Sequence, residues 1–399
     1  MLSGHTLLDF STAGPGPRCT RLLADYGMRV IKIRPPAGGT RMLTTPWYTY
    51  SANRGIRQIH IDLKQEGGRR LVHRMLQRAD VLLESYRPGV AARLGLGYEE
   101  VRAINGGIVY CSVSGFGQQG PYAQWPAHDL NWLALGGFLH DGSRREDGGP
   151  ALPGAVVADA AGGYSAAVAV LAALVRKAAT GQGTHLDVSA IDGVLRVMQA
   201  VFDARLAGED LNEEPAAHDA SGPSDMLTGG SACYDVYQAA DGRWLAVGAI
   251  EPHFWAALCT ELGLAHRIPD QHDRALQDIL RAELRIAFAT RPSGEWLRVL
   301  GPVACVTPVN SPAETLLDPH LNARPLTVDV MVGGRTVHQL APRLAVPDPP
   351  DLGQQPAGPT PAAEADAMLR ELGIDPDEIA GLRRAAVITA APELGTARP

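Results

Sequence analysis

Cysteine is scarce and unpatterned in this 399-residue chain: Cys19, Cys111, Cys233, Cys259 and Cys305 are scattered, odd in number and never in a C-x-x-C pair. Such spacing offers neither a disulfide framework nor a zinc site, and it fits a reducing compartment, so a cytoplasmic location is expected. An excess of positive charge is missing as well. Lys plus Arg total 36 against 43 Asp plus Glu, a formal net charge of -7. That balance argues against nucleic acid or an anionic membrane as partner, while leaving room for a local basic groove around a small anion. No basic segment followed by a long apolar stretch opens the chain, so no signal peptide is expected. The longest run of small apolar residues, 166–175, reads as too short to cross a bilayer. Gly14-Pro15-Gly16-Pro17 is not the dinucleotide motif G-x-G-x-x-G, and its prolines lack N–H donors, so a nicotinamide cofactor is not expected. Walker A, nucleophile-elbow, zincin and EF-hand patterns are absent too, and no metal is expected.

What is present reads as a globular chain: 45% of residues are hydrophobic and 20% charged. At this length, one large core plus a smaller domain is the natural expectation. Strand and helix patterns alternate through the first third. Strands are predicted at 7–10, 29–33, 58–63, 80–84 and 108–114, with helices at 19–26, 68–79 and 98–104 between them. Pro17 suits a first helical position and Gly27 a C-terminal cap. This rhythm implies an α/β fold with a mainly parallel sheet, helices on both faces and ligands beyond the strand C-termini. A long small-residue helix is expected from Asp159 to about Thr180, then a strand at 185–188 and a helix at 191–204. The large domain thus takes in residues 1–200. Residues 201–228 read as a linker, 229–325 as a small α+β domain with a hairpin around Ala240-Asp241-Gly242, and 326–362 as a proline-rich return linker. Helices within 363–388 are expected to pack on the large domain, followed by a frayed tail at 389–399.

Two residues carry the most chemistry. His128 stands in Ala127-His128-Asp129-Leu130-Asn131 and Asp159 in Ala158-Asp159-Ala160-Ala161-Gly162-Gly163. Facing each other across one carbon, an imidazole and a carboxylic acid can remove a proton from one side and return one to the other. Read alone, Asp159 is a helix N-cap, His128 a loop histidine, and Arg54, Lys64, Arg87 and Arg93 solvated surface charges.

Several dispersed segments coincide with one family. Leu23-Ala24-Asp25-Tyr26-Gly27, Asn53-Arg54-Gly55, Ile61-Asp62-Leu63-Lys64, Tyr86-Arg87-Pro88-Gly89-Val90, Arg93-Leu94-Gly95 and Thr180-Gly181-Gln182-Gly183 together resemble the class III CoA-transferase family of CaiB/BaiF type. Within it, His128-Asp129-Leu130-Asn131, Ala158-Asp159-Ala160, Ala249-Ile250-Glu251-Pro252 and Ala304-Cys305-Val306-Thr307-Pro308 are similar to the α-methylacyl-CoA racemases. The resemblance implies a Rossmann-like large domain completed by the C-terminal segment, a small domain, and an interlocked homodimer whose active site lies between subunits. It implies racemisation of 2-methylacyl-CoA thioesters with His128 and Asp159 as the two bases, Glu251 orienting His128, and backbone N–H groups near Asp159 holding the enolate oxygen. CoA would be bound by Ile61, Asp62, Leu63, Lys64, Tyr86, Arg87, Arg93, Arg34 and Arg54. The acyl part would meet Ala127, Asp129, Leu130, Asn131 and Trp132. CoA enters as part of the substrate, and no separate cofactor is required. Two other readings stand beside this one: a CoA-transferase with Asp159 as covalent nucleophile, and a non-catalytic CoA-binding protein.

Overall fold

The computed structural model describes residues 1–36, 53–140, 142–143, 145–208, 226–332, 335–342 and 360–389. The expected tail beyond 389, residues 209–225 of the expected linker and residues 343–359 of the return segment lie outside them. In chain order the elements are β1 (Thr6–Phe10), α1 (Pro15–Asp25), β2 (Arg29–Arg34), β3 (Ile56–Ile61), α2 (Glu66–Leu76), β4 (Val81–Glu84), α3 (Val90–Arg93), α4 (Tyr98–Ile104), β5 (Val109–Ser114), α5 (Asp129–Leu135), α6 (Val157–Thr180), β6 (Thr184–Ser189), α7 (Ala190–Val197) and α8 (Gln199–Gly208). There follow β7 (Tyr234–Gln238), β8 (Trp244–Gly248), α9 (Pro252–Glu261), α10 (Gln277–Phe288), α11 (Ser293–Leu300), β9 (Val306–Pro308), α12 (Pro312–Leu317) and α13 (Pro319–Asn322). The chain closes with β10 (Thr327–Val332), β11 (Arg335–Leu340), α14 (Ala362–Glu371), α15 (Pro376–Arg384) and β12 (Ile388–Thr389).

Two compact units result, one from Met1–Phe138, Leu152–Gly208 and Pro325–Pro399, the other from Leu139–Ala151 and Glu209–Arg324. In the larger unit a seven-stranded sheet runs in the order β12-β3-β2-β1-β4-β5-β6. All neighbours are parallel except β12, which pairs antiparallel on β3. The strands are near-continuous apolar runs because both faces are covered. On one face Leu8, Ile31, Leu82 and Tyr110 meet Leu71 and Met75 of α2, Val101 of α4, and Met368, Leu369 and Ile379 of the two C-terminal helices. On the other, Leu7, Val30, Leu83 and Val109 meet Cys19 and Leu23 of α1 and Ala166, Val170 and Leu174 of α6. Winding reverses between β1 and β4, which opens a crevice at their carboxyl ends.

Close helix approach decides what fills that crevice. A Cβ added to Gly163 of α6 would lie 2.7 Å from the Arg18 Cβ and 2.9 Å from the Pro15 carbonyl oxygen. One added to Gly193 of α7 would lie 2.6 Å from the Gly162 nitrogen. Glycine at these places therefore lets α1, α6 and α7 touch backbone to backbone. The 24-residue α6 is long and apolar enough, by length and composition, to cross a membrane, so the expectation that every apolar run is too short does not hold. Its Ala166, Ala167, Val170 and Leu174 are instead buried against the sheet.

Between β1 and β2, Lys32 Nζ sits 3.0 Å from Asp9 Oδ2, both side chains sealed from solvent. Asp9 also accepts from the Thr20 hydroxyl at 2.8 Å and the Ser11 N–H at 2.7 Å. Burial pulls the Lys32 pKa down and Asp9 pulls it back up. Such a pair is tolerable in an apolar interior only with its remaining lone pairs engaged. The smaller unit is a three-stranded antiparallel sheet, β7-β8-β9, with α9, α10 and α11 enclosing Trp255, Trp296, Tyr237 and Phe288. Its first hairpin turns at Asp241-Gly242, as the sequence predicts, with Gly242 at φ 77. Helix α1 starts at Pro15, earlier than predicted, while α5 and the β10–β11 hairpin fall where no element is expected.

Candidate active site

At the carboxyl ends of β1, β4 and β5 lies a cavity of about 590 Å³, bordered by Gly14, Tyr86, Arg87, Gly115, His128 and Asp159 among others. It occupies the switch-point crevice of the larger unit. Two helix starts deliver the His128 and Asp159 side chains. His128 is the cap residue of α5, its N–H donating to Asn131 Oδ1 at 3.0 Å, the third position of that helix reaching back to hold the first. Asp159 is not a cap, contrary to its isolated sequence reading: Val156 occupies that place and Asp159 is the third residue of α6. The two helix starts are tied directly, because Asp129 Oδ1 accepts the Asp159 N–H at 2.8 Å. Asp129, expected at the acyl group, therefore also acts as a clamp between helices. Gly14, at φ 77, closes the other side, where an added Cβ would stand 3.4 Å from Asp159 Oδ1.

The Asp159 carboxyl has a raised pKa. Burial is the chief cause, the nearby Arg18 charge opposes it, Asp129 reinforces it and His128 opposes it. A carboxyl held closer to its protonated form, at a cavity wall shared with an imidazole, is suited to donating as well as accepting a proton. Two nearby N–H groups are not free for an enolate oxygen. The Asp159 N–H goes to Asp129 and the Ala160 N–H to the Val156 carbonyl. The N–H groups of Val157 and Ala158, the first two residues of α6, stand at the positive end of the helix dipole.

Of the expected acyl contacts, Ala127, Asp129 and Trp132 border the cavity, whereas Leu130 and Asn131 are exposed and outside its lining. Trp132 is 7% exposed, and its buried Nε1 has no hydrogen-bond partner among the described residues. Of the expected CoA contacts, Tyr86 and Arg87 line the cavity. The Tyr86 N–H donates to Glu84 Oε2 at 2.8 Å, and burial together with the Glu84 and Asp9 charges pushes the Tyr86 phenol up to about 12. Ile61 is core and Leu63 packs against it. Asp62 braces its own loop by accepting from Lys64 N–H and Gln65 Nε2. Lys64 and Arg93 are exposed, away from the cavity lining. Arg34 is half-buried and donates to Gln58 Oε1 at 2.7 Å.

Arg54 is the clear correction. Its side chain is fully buried and donates to Asp25 Oδ1 at 3.2 Å, Gln339 Oε1 at 3.2 Å and the Leu340 carbonyl at 3.0 Å. A guanidinium spent this way ties α1 to the β10–β11 hairpin rather than facing a phosphate. Glu251 is the cap residue of α9 in the smaller unit, with an exposed side chain. Sequence reasoning missed Arg18, whose only mark in the sequence is a basic residue just after Pro17, one turn into a helix.

Fold and cavity define an α/β protein built around a switch-point crevice holding a carboxylic acid and an imidazole. The profile of "CoA-transferase family III" matches residues 2–366, and the chain belongs to that family. It is 34% identical over 327 residues to the alpha-methylacyl-CoA racemase of Homo sapiens, covering 81% of each chain. It is equally 34% identical over 352 residues to the acetyl-CoA:oxalate CoA-transferase of Acetobacter aceti, covering 84% of this chain and 88% of that one. Among solved structures, a CAIB/BAIF family protein from Brucella suis superposes with a TM-score of 0.75 at 26% identity, covering 93% of this chain and 99% of that one. The chain is thus an enzyme of the family III CoA-transferase and racemase type, with relatives of both activities at similar distance.

Proposed function

We propose that this chain is a 2-methylacyl-CoA racemase. The observation that carries the reading is the shared cavity wall of His128 and Asp159, with the acid's pKa raised by burial. In one direction the His128 imidazole takes the α-proton, the C–H electron pair moves into the thioester carbonyl to give an enolate, and protonated Asp159 delivers its proton to the opposite face. In the other direction the roles exchange. The α-proton of a thioester is so weakly acidic that the enolate must be stabilised in the transition state, which the positive end of α6 supplies. Neither metal, flavin nor nicotinamide takes part. CoA lies along Tyr86 and Arg87, with Lys64, Arg93 and Arg34 as the remaining cations assigned to its phosphates. Glu251 keeps its role as orienter of His128 on sequence resemblance. The working enzyme is a cytoplasmic homodimer.

The second reading is CoA transfer, in which Asp159 attacks the thioester carbonyl to form a mixed anhydride and expel CoA thiolate, which then attacks the aspartyl carbonyl to give an aspartyl-CoA thioester and release the donor acid. The similarity to the oxalate CoA-transferase favours it, but that route gives His128 no task. Proton NMR in deuterated buffer with a 2-methylacyl-CoA ester, followed by chiral analysis, separates the two. Racemisation requires α-deuterium incorporation with inversion, and His128→Ala is expected to lower inversion by about 10² or more while sparing slow exchange of one enantiomer. Transfer of CoA to a free acid without any exchange would replace the racemase reading by the second one.

A further inference from the structure

The proton exchange described above leaves one buried acid beside the cavity without a task. Glu84 ends β4 at the place where the winding of the sheet reverses, and it is 4% exposed. It is not among the residues bordering the cavity, whereas Ser85, Tyr86, Arg87 and Pro88, the stretch that follows it, all are. A carboxyl in such a place costs free energy unless its oxygens are engaged. What engages them shows what the acid holds.

Register pairs Glu84 with Phe10 of β1 and with Ser112 of β5, and these are the last pairs on either side of β4. The Tyr86 N–H therefore has no ladder partner, and Glu84 Oε2 accepts it at 2.8 Å. The Ser112 hydroxyl hydrogen-bonds the same carboxyl. It also lies 3.0 Å from His185 Nε2 on β6, and the His185 ring stacks on Tyr98 of α4 with centroids 4.9 Å apart. The acid is thus braced from the sheet on one side, while on the other it grips a backbone N–H of the cavity wall. At the far end of that wall, Gln124 Nε2 donates to the Pro88 carbonyl at 3.2 Å and the Val90 N–H to the Arg87 carbonyl at 3.1 Å. Between these ties the Arg87 side chain is exposed at the cavity edge and makes no hydrogen bond or ion pair among the described residues. Its direction is set by the backbone that carries it.

We propose that Glu84 is a positioning residue: by accepting the Tyr86 N–H it fixes the turn that aims Arg87 at the phosphates of CoA. This rests on the reading that CoA lies along Tyr86 and Arg87. Without the acceptor the Tyr86 N–H must turn to solvent, the stretch gains backbone freedom, and the cation has to be ordered anew each time CoA binds. That loss concerns a part of the substrate remote from the reacting carbon, so it belongs in KM rather than in kcat.

The test is calorimetric titration of the full-length protein with CoA. Glu84→Met, which fills the same space without an acceptor, is expected to weaken binding about tenfold, whereas Glu84→Gln, which keeps an oxygen for the Tyr86 N–H, stays within about twofold of wild type. Arg87→Met is expected to weaken binding as well. The double variant of Glu84→Met with Arg87→Met should lose clearly less than the product of the two single factors, because both act on one contact. In α-proton exchange, Glu84→Met raises KM about tenfold with kcat close to wild type, a split that general loosening of the cavity would not give. Wild-type affinity in folded Glu84→Met beside a weakened Arg87→Met overturns the proposal, as does Glu84→Gln as weak as Glu84→Met, or a fully multiplicative double variant. If Glu84→Met does not fold, Glu84→Ala takes its place, and failure of both gives Glu84 a purely structural role and overturns the proposal too. Wild-type affinity in Arg87→Met rejects the placement of CoA along Arg87 itself, whatever Glu84 does. Calorimetry needs no turnover, so a protein without exchange activity rejects the racemase reading and leaves this test standing.

Discussion

Gly163→Ala asks whether the contact between α1 and α6 sets the position of Asp159. In an exposed helix the substitution would stabilise by about 1 kcal/mol, because alanine restricts the unfolded chain. Here the new methyl would stand 2.7 Å from the Arg18 Cβ, 2.9 Å from the Pro15 carbonyl oxygen and 3.4 Å from the Cys19 nitrogen. Two of these three neighbours are backbone and cannot rotate away. Restoring ordinary carbon contacts means parting the helices by about 1 Å, and overpacking of this kind costs about 1–3 kcal/mol. The net expectation is a loss of about 1–2 kcal/mol in urea denaturation at an unchanged m-value. The same displacement carries Asp159 away from the substrate carbon, and a misplacement of about 1 Å can cost about 10² in rate. Gly294→Ala is the control, since nothing lies within 4 Å of an added Cβ there, and it should stabilise slightly with activity intact. If Gly163→Ala melts and turns over like wild type, the helix contact does not position the acid.

The remaining predictions concern charge. Asp159→Asn removes a carboxyl whose folded pKa is raised, so the wild type is penalised above that pKa and not below its unfolded value. The variant should therefore melt above wild type at neutral pH, with the two converging as pH falls and Asp159 takes up its proton, as calorimetric melts across pH will show. Arg54→Ala removes the buried ties to Asp25, Gln339 and Leu340 while Asp25 keeps its pairing with Arg21 at 3.0 Å, and should cost about 1–3 kcal/mol, seen as a lowered denaturation midpoint. Its folded fraction should bind CoA as wild type does by titration calorimetry, and a loss confined to CoA affinity would return Arg54 to the ligand surface.

Much of the larger unit was legible in the sequence because its strands are apolar on both faces and its turns are punctuated by glycine and proline. β1, β2, β4 and β5 fall within a residue or so of their predicted spans, and the parallel order follows from the strand and helix alternation. That His128 and Asp159 belong together was suggested by family resemblance and by the chemistry of an imidazole and a carboxylic acid, and both border one cavity. What escaped prediction depends on neighbours distant in sequence. Nothing local tells that Arg54 turns inward to Asp25 and Gln339, since those partners lie far away along the chain. Nor does local sequence show that Asp129 serves the first turn of α6. Helix α5 is too short for its period to register, and the β10–β11 hairpin lies in a stretch whose neighbouring prolines suggested only a linker.

The two residues of β12 give the chain an order of assembly. They cover the outer edge of β3, yet they leave the ribosome roughly three hundred residues after it. At about 5–20 residues per second, β3 waits on the order of tens of seconds with a row of unpaired backbone groups facing outward. During that interval its exposed border is open to any other extended strand, including that of a sister chain on the same messenger. A chain lacking Ile388 and Thr389 would leave the His60–Ile61 end of that border unpaired, so these two latecomers help keep the product from sticking to its own copies.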